Sequence, residues 1–258
     1  MIHNILKDKP TKLFVIFTAF FVANALIAES IGTKIFSLEK LVGLQPSHFT
    51  IFGQKNIAVS LTCGVLLWPL EFIMTDIVNE YYGPKAVRRI SFIAIALISY
   101  AFLMFYAAIQ VPPADFWLGS HIKDGVPDMQ NAFNGIFGQG MRIIAGSLVA
   151  FFVSQLVDVT IFHKIKKITG EGKVWLRATG STLVSQLVDS YIVLFIAFSG
   201  VFTWQQILSI GIVNYIYKAT MAIILTPVIY LAENRIEKYV GHETAKKMKS
   251  AAMGIDNE

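Results

Sequence analysis

The chain alternates between long apolar runs and shorter polar stretches. A window of about 19 residues finds six apolar runs of the length that a helix needs to cross a bilayer. Because lipid offers no hydrogen-bond partners to open backbone groups, each run is expected to be helical. The predicted spans are 13–31, 57–79, 90–111, 143–163, 178–199 and 207–231. The pattern predicts an all-α integral membrane protein, a six-helix transmembrane bundle that forms one domain over residues 1–258.

The composition supports a membrane protein. Hydrophobic residues make up 55% of the chain and charged residues 15%, with a mean hydropathy of +0.59. An ordinary soluble domain has about 25% charged residues. Disorder, coiled coils, collagen and most soluble enzymes are therefore excluded. Cys63 is the only cysteine, so no internal disulfide and no thiolate metal site can form.

The basic residues orient the bundle. With a cytoplasmic N-terminus, 16 of the 22 Lys and Arg residues fall on the cytoplasmic side and five on the outer side. This asymmetry predicts that both termini lie in the cytoplasm, as an even number of spans requires. It also explains the net charge of +5 without a nucleic-acid partner. The outer segment 32–56 is expected to form a short hairpin or partial lid, and 112–138 an interfacial helix or a plain loop.

A pentapeptide, Ser-Gln-Leu-Val-Asp, occurs twice. Ser154–Asp158 recurs as Ser185–Asp189 in the next predicted span, so the two copies cross the membrane in opposite directions. Transporters often place such inverted repeats around a site at mid-membrane. Helical spacing puts the Ser, Gln and Asp of each copy on one face. The two faces are expected to line a polar cavity, although contacts that only hold helices together are the alternative.

Charged residues within the predicted spans are also informative. Each would cost about 2.5–3.5 kcal/mol at the bilayer centre if it faced lipid. Five acids against one base cannot all be ion-paired, so some carboxyl groups are expected to be neutral, hydrated or reserved for a ligand. These residues are Glu29, Glu71, Asp76, Asp158, Asp189 and Lys218.

The second predicted span contains a helix breaker beside acids. Pro69 removes a backbone donor, which predicts a kinked or broken helix of the kind that transporters use at binding sites, or simply a tolerated kink. Gly83-Pro84 is expected to end the helix at a basic loop. In the sixth span, Asn214 and Lys218 share a face. Lys218 is expected to be a counter-ion in the site or a static partner of Asp76, Asp158 or Asp189.

Four segments of the chain combine polar and charged residues in distinctive motifs. The first reads WPLEFIMTDIVNEYYG and is followed, four residues later, by two arginines. The segments are Trp68–Gly83 with Arg88-Arg89, Gln155–Lys164, Gly180–Asp189 and Asn214–Lys218. Together they resemble the bacterial queuosine precursor transporter family, earlier labelled a vitamin uptake group. The resemblance covers about residues 13–235.

The resemblance implies six-span carriers of the bacterial inner membrane. They import 7-cyano-7-deazaguanine or 7-aminomethyl-7-deazaguanine, which are salvaged to make queuosine in transfer RNA. No cofactor or metal is implied. The resemblance also extends to the membrane-embedded binding subunits of ATP-driven vitamin transporters, so a binding subunit for another heterocycle or vitamin is the alternative. The oligomeric state, including a homodimer, stays open.

A deazaguanine presents a ring N–H and an amino group side by side, and a carboxylate can accept both. Asp158 or Asp189 is expected to be this acceptor. Amides supply donors to the ring oxygen, and aromatic side chains stack on the ring. Asp76 and Lys218 are candidates for a gating or structural ion pair. The expected site consists of Asn24, Trp68, Glu71, Phe72, Thr75, Asp76, Phe151, Gln155, Asp158, Thr182, Gln186, Asp189, Asn214 and Lys218.

Two other classes of function are weighed against transport. The chain has no H-E-x-x-H, G-x-S-x-G or P-loop motif and no cysteine–histidine dyad, so an enzyme is not expected. A channel would usually have a symmetric pore with a dedicated selectivity filter. Several copies of one chain could form such a pore, so a channel is kept as an alternative.

Overall fold

The computed structural model describes residues 8–138, 140–170 and 173–253. Helices dominate this part of the chain, with four short strands on the outer side. The elements in chain order are α1 (Lys9–Ile31), β1 (Ile35–Ser37), α2 (Leu38–Leu41), β2 (Phe49–Ile51), β3 (Gln54–Ile57), β4 (Ser60–Thr62), α3 (Trp68–Gln110), α4 (Asp115–Leu118), α5 (Met129–Phe137), α6 (Met141–Thr169), α7 (Val174–Phe198), α8 (Trp204–Val240) and α9 (His242–Ala252).

The helical membrane architecture predicted from the apolar runs is confirmed. Within the described ranges, five helices are long and apolar enough to cross a membrane: α1, α3, α6, α7 and α8. α3 has 43 residues and contains about half of the second predicted span and almost all of the third. Each of the other four predicted spans lies within one helix, except that the fifth extends one residue beyond the end of α7.

The start of the second predicted span, at residue 57, is wrong. Residues 60–62 instead form β4, which pairs with the distant strand β1. A 3₁₀ turn at Cys63–Leu66 follows, and α3 begins only at Trp68. Pro69 therefore lies in the first turn of a helix, where its missing N–H would have had no partner, and it produces no kink.

The break in α3 lies at Gly83. Its φ of 78° and ψ of 177° are accessible mainly to glycine. A Cβ at this position would also lie 3.1 Å from the carbonyl oxygen of Ala252 in α9, which packs against α3. Pro84 then begins a second helical segment directly. The basic loop expected after Gly83 is therefore wrong, and Lys85 belongs to a helix.

The outer segments are ordered by local pairing. β2 and β3 form the antiparallel hairpin expected in 32–56. In 112–138, the described residues include the short helices α4 and α5, where Phe133 contacts Trp117 and Phe137 through its ring. Both alternatives for 112–138 are therefore represented, with helix at α4 and α5 and loop around them, and the interfacial position stays a prediction.

Glu39 in α2 ties the outer segment together. Its Oε1 accepts hydrogen bonds from the Ser47 hydroxyl and, at 2.7 Å, from the Val59 backbone N–H. Its Oε2 accepts from the Ser37 hydroxyl at 2.8 Å. The bonds from Ser47 and Val59 outweigh the opposing effect of desolvation and lower the pKa of Glu39 to about 2. The ionised carboxylate therefore stabilises this segment.

Acid is expected to loosen this outer segment. Because the pKa of Glu39 is depressed in the folded protein, its stabilisation is complete above the unfolded value of about 4.3 and is lost as pH falls towards 2. Amide exchange in residues 37–62, corrected for the intrinsic pH effect, should be constant from about pH 7 to 5 and faster below about pH 4. Glu39→Gln should accelerate it about three- to fivefold at pH 7, whereas the exposed Glu243→Gln should not. A flat profile down to about pH 2.5 would contradict this account.

α6 and α7 form the closest pair of helices in the described structure, and they run antiparallel. Their backbones approach at Gly146, where a Cβ would lie 3.1 Å from the carbonyl oxygen of Val193. Close backbone approach at small residues is the usual way in which membrane helices associate. α8 packs against α7, and α3 against α1 and α6. The two copies of the pentapeptide therefore face each other at the centre of the bundle.

Candidate functional site

The two copies of the pentapeptide contact each other reciprocally. The Ser185 hydroxyl lies 3.1 Å from Asp158 Oδ1, and the Ser154 hydroxyl lies 3.5 Å from Asp189 Oδ1. Each hydroxyl is also within 3.1 Å of a carbonyl oxygen of its own helix, so its single proton is shared between the two acceptors. Each serine thus contacts the aspartate of the other copy, as expected for two helices related by a local two-fold axis. Serine and aspartate are four residues apart, which is about 6 Å along a helix. The two carboxylates therefore lie on opposite sides of that axis.

An outer cavity of about 410 Å³ opens above the Asp189 side of this pair. This volume lies within the range of small-molecule sites, about 300–1,000 Å³. The Lys218 ammonium donates to Asp189 Oδ2, and the Ser147 hydroxyl donates to Glu29 Oε1 at 2.6 Å. Asn214 and Trp68 also line the cavity. Most of its charged and polar groups come from α1, α6, α7 and α8.

An inner cavity lies on the Asp158 side. It measures about 10 Å³, which is about the room that one water molecule needs. Ser154 lines it, so the Ser154–Asp189 contact lies between the inner and the outer cavity. The Gln155 amide is 3.4 Å from the Thr75 hydroxyl across it. The predicted site residues that line it are Phe72, Thr75, Gln155, Asp158, Thr182 and Gln186.

Two predicted site residues pair with each other instead. The Asn24 side chain donates to Glu71 Oε2 at 2.8 Å and to the Leu67 carbonyl oxygen at 3.2 Å, and both side chains are buried. Glu71 Oε1 has no hydrogen-bond partner among the described residues. This pair ties α1 to the first turn of α3. Phe151 is buried against Phe21 and Trp68, with ring centroids at 6.2 and 5.8 Å.

Lys218 pairs with Asp189, one of the three partners expected for it, so the candidate ion pair between Asp76 and Lys218 is wrong. Asp76 lines a third small cavity, where it faces Ala222 and Ile229 of α8. These residues follow Lys218 by one to three helical turns, so Asp76 lies closer to the cytoplasm. Asp76 Oδ1 has no hydrogen-bond partner within the described part of the chain.

A buried ionic cluster closes the cytoplasmic end of the bundle. Arg177 donates from Nη2 to Glu80 Oε1 at 2.8 Å and from Nε to Oε2 at 3.0 Å, and Lys166 Nζ lies 3.1 Å from Oε2. All three side chains are almost fully buried. The sequence interpretation missed Arg177 and Lys166 as interior residues, because a hydropathy window stops at charges.

The side chains that line the two cavities include polar groups suited to a small ligand. In the residues that the structure describes, no three His, Cys, Asp or Glu side chains are grouped to hold a metal ion. Hydroxyl, amide and carboxylate groups line both cavities, and such groups can form hydrogen bonds with a polar heterocycle.

Comparisons with known proteins point to the same class. The family model described as "Putative vitamin uptake transporter" matches residues 62–232. A "Probable queuosine precursor transporter" of Bacillus subtilis is 33% identical over 69% of this chain and 74% of the relative. The "Queuosine precursor transporter" of Escherichia coli is 27% identical over 69% of this chain and 78% of its own length. No solved structure matches the chain significantly.

The five apolar helices and these relatives make the protein a multi-pass protein of the bacterial inner membrane. The family match covers well over half of the chain. It includes both copies of the pentapeptide and all of α7. The chain therefore belongs to the bacterial queuosine precursor transporter family.

Proposed function

We propose that this protein imports 7-cyano-7-deazaguanine, 7-aminomethyl-7-deazaguanine or both, for salvage into queuosine. The observation that carries the proposal is the reciprocal contact of two inverted repeats between an outer and an inner cavity. Inverted repeats around a central site are the usual basis of alternating access. The named transporters among the relatives support the substrate class and a carrier rather than an enzyme.

Asp158 is the carboxylate best suited to bind the heterocycle. Asp189 is already neutralised by Lys218 in the outer cavity. Asp158 accepts a hydrogen bond from Ser185 and lines a cavity with Gln155 and Gln186. Its two oxygens can accept the ring N–H and the amino group of a deazaguanine together. The glutamine amides can donate to the ring oxygen, and Phe72 can stack on the ring.

The outer cavity is the entry chamber in this proposal. Its volume of about 410 Å³ holds a bicyclic heterocycle, whereas the inner cavity of about 10 Å³ must expand to do so. Expansion requires the Ser154–Asp189 contact to open, since it lies between the two cavities. The substrate then moves from Asp189 to Asp158 as the outer side closes.

Uptake by the chain alone tests the proposal. Cells that cannot make the precursor should accumulate labelled 7-cyano-7-deazaguanine or 7-aminomethyl-7-deazaguanine when they express this protein. The purified protein in liposomes should do the same without any ATPase. Transport that appears only with an ATP-driven partner would show a binding subunit instead, and uptake of neither precursor would reject the substrate class.

Glu29 is expected to favour the cationic precursor. It lines the outer cavity on α1, opposite the Asp189–Lys218 pair. A carboxylate near a bound ammonium contributes about 1 kcal/mol in a hydrated cavity. Glu29→Gln should therefore raise the concentration of 7-aminomethyl-7-deazaguanine that gives half-maximal uptake about fivefold. The neutral 7-cyano form is the internal control and should change less than about twofold. Equal changes for both substrates would contradict a charge effect.

A further inference from the structure

A basic groove opens on the cytoplasmic side between α3, α6 and the C-terminal end of α9, and it shares none of its described lining residues with the two cavities. Its volume is about 500 Å³, and its floor is formed by Tyr82, Pro84 and Val159. Its basic residues are all exposed and come from α3 and α6: Lys85, Arg88, Lys164 and Lys167. None of the described residues that line the groove is acidic.

Within the part of the chain that the structure describes, the nearest acid on α3, Glu80, does not cancel the positive charge of the groove. Glu80, at the end of the first segment of α3, bonds to Arg177 and Lys166 and is neutralised there. The break at Gly83 also makes Pro84 the start of a new helical segment of 27 residues, 84–110, within α3. Its first turn contributes the positive end of the helix dipole to the same groove.

Aromatic side chains follow the groove along α3 and α6, towards the depth of the lipid chains. Phe92 of α3 and Phe152 of α6 contact each other further along the same pair of helices, with ring centroids 5.1 Å apart. Phe92 is 55% exposed. A cationic pocket at the level of the inner-leaflet headgroups, followed by exposed aromatic rings, matches an anionic group attached to an acyl chain. A free phosphate ion would contact only the basic residues of the groove and not the aromatic rings.

We propose that the basic groove binds the phosphate headgroup of an anionic phospholipid from the cytoplasmic leaflet. The groove holds the phosphate between the basic residues of α3 and those of α6, and the acyl chain lies against Phe92. The lipid then links the two helices beside the break at Gly83. This site is independent of the substrate that the transporter carries.

Native mass spectrometry of the full-length protein tests the lipid site. Phosphatidylglycerol is expected to bind at least about tenfold more tightly than phosphatidylcholine. Arg88→Gln should weaken phosphatidylglycerol binding about fivefold, since one basic side chain near an anionic lipid contributes about that factor. Arg89→Gln is the matched control, because Arg89 is exposed on the same helix but does not line the groove. Equal losses in both variants would overturn the proposal.

A second pair of variants separates the groove from general charge. Lys164→Gln with Lys167→Gln should weaken phosphatidylglycerol binding about thirtyfold. Lys246→Gln with Lys247→Gln removes the same charge from exposed positions of α9 and should change it less than about twofold. Equal binding of both lipids, or displacement of phosphatidylglycerol by inorganic phosphate at similar concentration, would overturn the lipid assignment.

Discussion

Asp158→Asn is expected to lower uptake of the deazaguanine precursor on the order of 100-fold. The substitution replaces one acceptor oxygen of Asp158 by an amide donor, which then faces the donors of the heterocycle. Losing one partner of a buried charge-assisted pair typically costs about 2–5 kcal/mol, since the other group is left unsatisfied. Ser185, which donates to this carboxylate at 3.1 Å, can still bond to the remaining oxygen. Initial rates of labelled uptake, divided by the amount of protein in the membrane, measure the effect.

Asp124→Asn provides the control for that measurement. Asp124 lies in the outer segment, exposed beside His121, and the same chemical change there should leave uptake within about twofold of the original. Near-normal uptake by Asp158→Asn, with normal membrane expression, would remove Asp158 from the proposed site. Loss in both variants would point to expression or assembly instead.

Glu80→Gln is expected to lower the free energy of unfolding by about 3–5 kcal/mol. Arg177 and Lys166 would then be two buried cations without their shared anion. An uncompensated buried charge costs far more than the intact cluster contributes. Reversible unfolding of the purified protein in mixed micelles, titrated with dodecyl sulfate, gives the free energy.

Glu237→Gln is the matched variant for the ionic cluster. Glu237 accepts a hydrogen bond from Lys249 at 2.9 Å, but its side chain is 31% exposed. The same substitution there should cost less than about 1 kcal/mol, because water replaces the lost interaction. Similar losses for Glu80 and Glu237 would show that burial of the cluster is unimportant.

The helices and the repeat were predictable because lipid leaves few alternatives. An apolar run of bilayer length can only be helical there, and helical spacing then fixes which side chains share a face. The pentapeptide needed only its sequence spacing to predict that Ser154 and Ser185 lie on facing surfaces. Their bonds to Asp189 and Asp158 confirm that prediction.

The elements that depend on distant partners were not predictable. Residues 60–62 are part of an apolar run, and only pairing with Ile35–Ser37 makes them a strand. Arg177 lies inside the protein because Glu80, 97 residues earlier, receives its guanidinium. The partner of Lys218 depends on the relative depth of α7 and α8, which hydropathy does not encode. For the same reason, the sequence did not predict which residues line which cavity.

The close approach of α6 and α7 at Gly146 implies a pivot near their outer ends. A Cβ there would lie 3.1 Å from the Val193 carbonyl oxygen, further outward than either serine–aspartate contact. The two helices can therefore separate most readily at their cytoplasmic ends. In an inward-open conformation, the Ser185–Asp158 contact should lengthen more than the Ser154–Asp189 contact.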